Sequence, residues 1–176
     1  MPNKPSKNEP NQLSRAESRV LQRIQAVAFD APGVLSAARG LSHFGEHAAG
    51  WVASAGVGAA VDKQRRGQWV RVGASALIAH AASVVLKRIV RRRRPDYPYV
   101  RVGVSTPSKL SFPSSHSTST AAFCTGISEL TGTKIPLAGI PVMMASRMVL
   151  GVHYPTDTLL GAMIGYATAK RMMRQG

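Results

Sequence analysis

Apolar and polar positions divide this chain into an amino-terminal amphipathic segment followed by five low-charge stretches. In SRAESRVLQRIQAVAF, Ser14–Phe29, the apolar residues Val20, Leu21, Ile24, Val27 and Ala28 recur at helical spacing, with Arg15, Arg19 and Arg23 elsewhere. Ser14 followed by Glu17 has the spacing of a capping box, and Asp30, Pro32 and Gly33 close the segment. The pattern predicts an amphipathic helix over residues 14–30, lying on an anionic membrane surface or packed on the rest of the fold. The low-charge stretches are His47–Val61, Val72–Leu86, Thr118–Leu130, Ile135–Leu150 and Thr158–Ala169.

Each stretch is shorter than the roughly 20 residues that span a bilayer comfortably. They are dense in Gly, Ala and Ser, however, and Gly161-x-x-x-Gly165 has a spacing that suits close helix packing in lipid. Cationic ends can snorkel and a bilayer can thin to meet short spans. The expected fold class is therefore all-α: a polytopic transmembrane helical bundle of about five spans, preceded by the interfacial amphipathic helix. Residues 1–13 read as a disordered polar tail and residues 40–172 as the membrane domain. No signal peptide is expected, because no early apolar run leads to a small-residue cleavage site.

Charge and cysteine content narrow the chemistry. A formal net charge of +15 over 176 residues favours anionic partners: nucleic acid, anionic lipid or a phosphorylated substrate. The single cysteine, Cys124, excludes an intrachain disulfide and a cysteine-based zinc site.

Three polar segments lie at the ends of apolar stretches: Lys87-RIVRRR-Arg94-Pro95, Phe112-Pro-Ser-Ser-His116 and Ser146-Arg147-MVLGV-His153-Tyr-Pro-Thr-Asp157. In an up-and-down bundle all three meet on one side of the membrane. Arg94 and Arg147 offer planar forks for phosphate oxygens, and Lys87 adds a point charge. Ser114 can donate its hydroxyl, and the turn entering the third stretch exposes backbone N–H groups. His153, with Asp157 holding its other ring nitrogen, has the makings of a nucleophile; His116 is free to protonate a leaving oxygen. Pro155 is expected to open the last helix, with Asp157 in its first turn. Phosphoryl transfer needs mainly positioning and charge neutralisation, so these residues predict phosphoester hydrolysis through a phosphohistidine, with no metal and no cofactor.

The same segments resemble the signature of the type 2 phosphatidic acid phosphatase superfamily: K-x6-RP, PSGH and SR-x5-H-x3-D, over roughly residues 40–170. The resemblance implies that Lys87, Arg94, Ser114 and Arg147 bind the phosphate, that His116 is the acid, His153 the nucleophile and Asp157 its orienter. It departs at one position, where Ser115 replaces the signature glycine; serine keeps the backbone N–H that the superfamily uses there. The implied substrate is a phosphorylated lipid. Resemblance to small actinobacterial members puts decaprenylphosphoryl-5-phosphoribose first, ahead of prenyl diphosphates, phosphatidic acid and phosphatidylglycerophosphate.

Other readings make different predictions. A basic membrane or nucleic-acid-binding protein using Arg91–Arg94 would bind by phosphate contacts that weaken steeply with salt and would ignore His153. A vanadate-dependent haloperoxidase would oxidise halide with peroxide. His43 and His47, four apart, lack an evident third metal ligand. His80 reads as an interior group bonded to a neighbouring helix. Arg88 and Arg91–Arg93 are assigned to the membrane surface and its anionic lipids, with no nucleic acid as partner. The protein is expected in the cell membrane as a multi-pass chain, its active site leaning to the cytoplasmic side.

Overall fold

The computed structural model describes residues 12–174, so the expected tail over residues 1–13 lies outside them except for Gln12 and Leu13. Among the described residues seven α-helices follow in order: α1 (Gln12–Ala28), α2 (Val34–Phe44), α3 (Ala49–Val61), α4 (Arg66–Val90), α5 (Ser115–Thr131), α6 (Gly139–Val149) and α7 (Pro155–Arg174). Short 3-10 turns, Glu46–Ala48 and Ile135–Ala138, precede α3 and α6. Among the described residues there is no strand, only an isolated antiparallel bridge between Arg93 and Leu110.

Helix α5 is the axis, packed between α4 and α7. Its buried residues are small or hydroxylated, including Ser117, Thr118, Ser119, Thr120, Ala121 and Ala122. The alanines of three helices, Ala79, Ala122 and Ala169, close one core cluster. Small side chains let backbones approach. A Cβ added to Gly165 would lie 2.0 Å from the Thr118 carbonyl oxygen, and one on Gly161 2.8 Å from that of Ser114. The Gly161/Gly165 pair thus sets the distance between α7 and α5, which binds the start of α7 to the start of α5.

Many of the large apolar side chains point outward instead. Val57, Val70, Leu77, Val85, Ile89 and Met163 are all exposed. Among the described residues one helix, α4, is long and apolar enough to cross a membrane.

Helix α1 differs from its expected form. Leu21 is fully buried with Val100 and Tyr154, and Ile24 and Ala28 pack beside Val149 and Leu150, but Val20 and Val27 face outward. Its inner face is largely polar: Ser14, Glu17, Ser18, Leu21 and Gln25. Ser14 and Glu17 do not form a capping box, because the helix is already under way at Gln12 and both side chains turn inward to other elements. Gln25 ties the helix down, donating to the carbonyls of Arg101 (2.7 Å) and Val149 (2.8 Å) and accepting from the Arg101 amide (2.9 Å).

The long connection between α4 and α5, residues 91–114, folds back over the end of the bundle. Gly103 N–H donates to Leu150 at 3.0 Å and Ser111 N–H to Arg92 at 2.7 Å, so the loop is anchored both to α6 and to itself.

Candidate active site

The far ends of α4 and α6 and the near ends of α5 and α7 meet at one end of the bundle, and the polar segments of the sequence sit there. Helix α4 stops where Arg91 adopts a left-handed conformation (φ 55°), which turns the next residues back across the helix end. Arg94 is then fastened by its Nε to the Ser108 carbonyl (2.8 Å) and by Nη1 to the Val152 carbonyl (2.7 Å). Lys87, one turn before the end, donates to Ser115 Oγ at 3.2 Å, and Ser83 donates to the same oxygen at 2.8 Å. Lys87, Arg94, Ser115, His116, Arg147 and His153 line one cavity of about 250 Å³.

His153 sits in the turn before α7, only 2% exposed. Its Nε2 lies 3.0 Å from Arg94 Nη1. A guanidinium has donors and no acceptor, so Nε2 is the accepting nitrogen and carries the lone pair. The ring proton is therefore on Nδ1, which faces Asp157 Oδ2 at 3.7 Å, a fraction of an ångström beyond hydrogen-bond reach. Burial, followed by the charges of Arg94, Lys87, Arg147 and His116, holds His153 well below the ordinary histidine range. At neutral pH it is an uncharged imidazole with a free electron pair toward the cations. Burial also lowers the Arg94 guanidinium to about 10, which leaves it cationic.

Across the cavity, Ser42 at the end of α2 holds two groups at once. Its carbonyl meets His116 Nε2 at 2.9 Å and its hydroxyl accepts from Arg147 Nη1 at 3.1 Å. A carbonyl only accepts, so His116 carries its proton on Nε2, leaving Nδ1 to gain and lose a proton. Arg147, 1% exposed within α6, has further donors directed at Ala38 and Ser146. A buried cation this well held is a built feature rather than a helix-end charge.

The structure moves two residues, Ser114 and His80, from their expected places. Ser114 is fully buried and does not line the cavity: it is the N-cap of α5, its Oγ accepting from the Ser117 amide and hydroxyl, so that oxygen serves the helix end. Ser115, expected at the phosphate through its backbone N–H, does line the cavity. As the first residue of α5 its backbone avoids positive φ, so the glycine of the signature is not needed for conformation here. His80 is not bonded to a neighbouring helix; it lines the cavity opposite His47, ring centroids 6.0 Å apart, with Nδ1 unpartnered.

Arg92 is the largest correction. Its side chain is 17% exposed and folded inward, where Nη1 donates to Asp157 Oδ1 at 2.8 Å and Nη2 pairs with Glu17. It is therefore unavailable as a lipid-surface contact, whereas Arg88, Arg91 and Arg93 are exposed. Spacing could not separate Arg92 from its neighbours. The signal that could have done so is Glu17, an acidic residue in a helix whose other charges are all arginine, in a chain with eight acidic residues against 23 lysines and arginines. The helper residues Ser42, Ser83 and Ser108 carried no signal at all. Among the described residues no cluster of three His, Cys, Asp or Glu side chains could hold a metal ion.

Residues 68–176 match the PAP2 superfamily. The chain is 54% identical over 147 residues, 84% of its length and 82% of the relative's, to the decaprenylphosphoryl-5-phosphoribose phosphatase of Mycolicibacterium smegmatis. It is 48% identical over 151 residues to the protein of that name from Mycobacterium tuberculosis, covering 86% of this chain and 85% of that one. Its fold is similar to that of the first transmembrane PAP2 type phosphatidylglycerolphosphate phosphatase from Bacillus subtilis. The TM-score is 0.72 at 20% identity, over 95% of this chain and 87% of that one.

Proposed function

Because the chain belongs to the PAP2 superfamily and is a phosphoric monoester hydrolase, we propose that it hydrolyses the 5-phosphate of decaprenylphosphoryl-5-phosphoribose in a membrane, through a phosphohistidine and without a metal. The observation that carries this reading is the cavity lined by three cations, Lys87, Arg94 and Arg147, together with His153, whose uncharged Nε2 touches Arg94.

The steps follow from the donors. Lys87, Arg94 and Arg147 neutralise the peripheral phosphate oxygens, and Ser115 contributes its N–H at the start of α5. His153 Nε2 attacks phosphorus, forming a P–N bond as the bond to the ribose oxygen breaks. That oxygen takes the proton that His116 Nδ1 acquires beside the bound anionic phosphate, so the sugar leaves as an alcohol. His116, now neutral, removes a proton from water; the hydroxide oxygen bonds to phosphorus, the P–N bond breaks and inorganic phosphate departs. Asp157 stabilises the imidazolium character that His153 acquires at each transition state.

One feature of the cavity supports a sugar headgroup over a diphosphate. Glu46, on the 3-10 turn before α3, lines the same cavity together with His43 and His47. A carboxylate there repels a second phosphate and accepts hydrogen bonds from sugar hydroxyls. The polyprenyl tail would extend into lipid along the outward apolar side chains. We infer about five spans, α3 to α7, with α1 at the interface and the active site on the cytoplasmic side; the exposed apolar residues of α3, α4 and α7 support the spans.

The test is phosphate release by purified protein from decaprenylphosphoryl-5-phosphoribose, a polyprenyl diphosphate, phosphatidic acid and phosphatidylglycerophosphate, each with and without EDTA. Turnover is expected to be highest on the phosphosugar and insensitive to EDTA. Wild-type turnover by His153→Ala would overturn the mechanism, and loss of activity in EDTA would overturn its metal independence.

A further inference from the structure

Behind His153 lies a second set of charges that does not line the cavity. Asp157 is fully buried in the first turn of α7. Its Oδ2 accepts from the Tyr154 amide at 2.8 Å, on the side that faces His153. Its Oδ1 accepts from Arg92 Nη1 at 2.8 Å, and the same nitrogen donates to Thr156 Oγ1 at 2.8 Å. Arg92 Nη2 donates to Glu17 Oε2 and, at 3.1 Å, to Ser14 Oγ. The Arg92 guanidinium is also stacked 4.0 Å over the Tyr154 ring. The Glu17 and Asp157 carboxylates outweigh the cost of burial and hold Arg92 above its ordinary value, so it is permanently charged.

The second oxygen of Glu17 completes the set. Oε1 accepts from the Thr156 amide at 2.8 Å and from its hydroxyl at 2.7 Å. Thr156 is in the first turn of α7, where amides have no partner within the helix. Glu17 therefore caps α7 from another helix, with a negative charge placed where the helix dipole favours one. The result is a continuous line from α1 to the nucleophile: Glu17, Arg92, Asp157, His153. Buried ionic triads contribute little to stability, since desolvation offsets their attraction, so their retention needs another reason. Here the reason is geometric. The Arg92 fork and the Tyr154 amide take one carboxylate oxygen each, which leaves Asp157 a single orientation relative to His153 Nδ1.

We propose that Glu17 and Arg92 are positioning residues for the phosphatase reaction: Glu17 on α1 acts through Arg92 to orient Asp157, and α1 is thereby part of the catalytic apparatus. The inference rests on the proposed role of His153 as nucleophile. It assigns the inward arginine of the basic run to chemistry at one remove, and leaves the phosphate cage of Lys87, Arg94 and Arg147 independent of α1.

The experiment is steady-state kinetics on the full chain with the phosphosugar lipid, comparing wild type with Glu17→Gln, Arg92→Gln, Arg92→Lys, Asp157→Asn and the double variant Glu17→Gln/Asp157→Asn. Inorganic phosphate serves as a competitive inhibitor, and thermal unfolding reports the folded fraction. Misplacement of a catalytic group by about 1 Å can cost about 100-fold. Glu17→Gln is therefore expected to lower kcat by about 10- to 100-fold per folded molecule, with KM and the inhibition constant of phosphate unchanged. Arg92→Lys, which keeps one charged contact, should recover part of the kcat lost in Arg92→Gln. In the Asp157→Asn background Glu17→Gln should cost little more, because its route of action is already cut.

A Glu17→Gln protein with wild-type kcat, or a loss that multiplies in full with that of Asp157→Asn, would overturn the inference. So would equal loss in kcat and phosphate affinity. Should Glu17→Gln not fold, Thr156→Val, which deletes one acceptor of the Arg92 fork without changing charge, is expected to lower kcat a few-fold at constant KM; unchanged kcat there overturns the inference too. An inert wild-type protein would instead overturn the proposed function, so the two failures are separable.

Discussion

Arg94 donates to His153 Nε2 across 3.0 Å, so the nitrogen placed to attack phosphorus already touches a cation placed to hold its oxygens. The contact selects the tautomer and delivers the guanidinium to the reaction centre. Arg94→Lys keeps the charge but loses the fork that also binds Ser108 and Val152. Loss of a donor to developing oxyanion charge costs about 10²–10³ in rate, and both Arg94→Lys and Arg94→Gln should fall in that range, the latter lower. Phosphate release by folded variants measures it.

The pH profile follows from His153. Its attacking form is neutral, and burial together with Arg94, Lys87, Arg147 and His116 holds its pKa well below normal. Activity is present above that lowered pKa and lost as pH falls through it. The acidic limb due to His153 should lie well below about pH 6.5, and Arg94→Gln, by removing a cation, should move it upward. Profiles of kcat/KM between about pH 4 and 9 test both signs. Stability follows the same direction. Below about pH 6.5 the unfolded chain takes up a proton that folded His153 refuses, so folding weakens as pH falls toward the native pKa.

Ser115 offers its hydroxyl oxygen to both Lys87 and Ser83. Ser115→Ala leaves Lys87 short of an acceptor and free to move, while Ser83 keeps the His80 carbonyl at 2.6 Å and the backbone N–H of residue 115 remains. One such hydrogen bond contributes about 1 kcal/mol, so KM should rise about fivefold with kcat nearly kept. Restoring the signature residue with Ser115→Gly should behave alike, since no positive φ is required there.

Gly165 faces the Thr118 carbonyl so closely that a methyl group cannot be accommodated without separating α7 from α5. Gly165→Ala should cost about 3 kcal/mol, seen as a fall of about 6–12 °C in Tm. Gly56→Ala on α3, where a Cβ meets nothing within 4 Å, is the control and should not lower Tm.

Arg91 is exposed at the end of α4, one turn beyond Arg88, which is exposed and lines the cavity. An arginine near an anionic surface contributes about 1 kcal/mol, so Arg91→Gln should weaken association with phosphatidylserine vesicles about fivefold, an effect lost at high salt. Turnover of detergent-solubilised substrate should be unchanged.

The order of motifs and their positions at the ends of apolar stretches were enough to read an all-helical fold and to bring Lys87, Arg94, His116, Arg147 and His153 to one cavity, with Asp157 beside His153. Spacing within a helix end and a hydrophobic period are local properties, and they are written in neighbouring residues. The roles of Ser114 and Ser115 could not be told apart, because which of two adjacent serines caps α5 and which faces the cavity depends on the entry angle of the helix.

Arg92 shows the same boundary more sharply. In the sequence it is one of four consecutive arginines. Only the turn at Arg91, and the arrival of Glu17 from a helix 75 residues away in the chain, decide that it points to Asp157 while its neighbours point to solvent. Local sequence determined which chemical groups stand at the bundle end. Which of them touch was decided by long-range packing, because the desolvation of a charge is balanced only by partners that the fold brings from elsewhere.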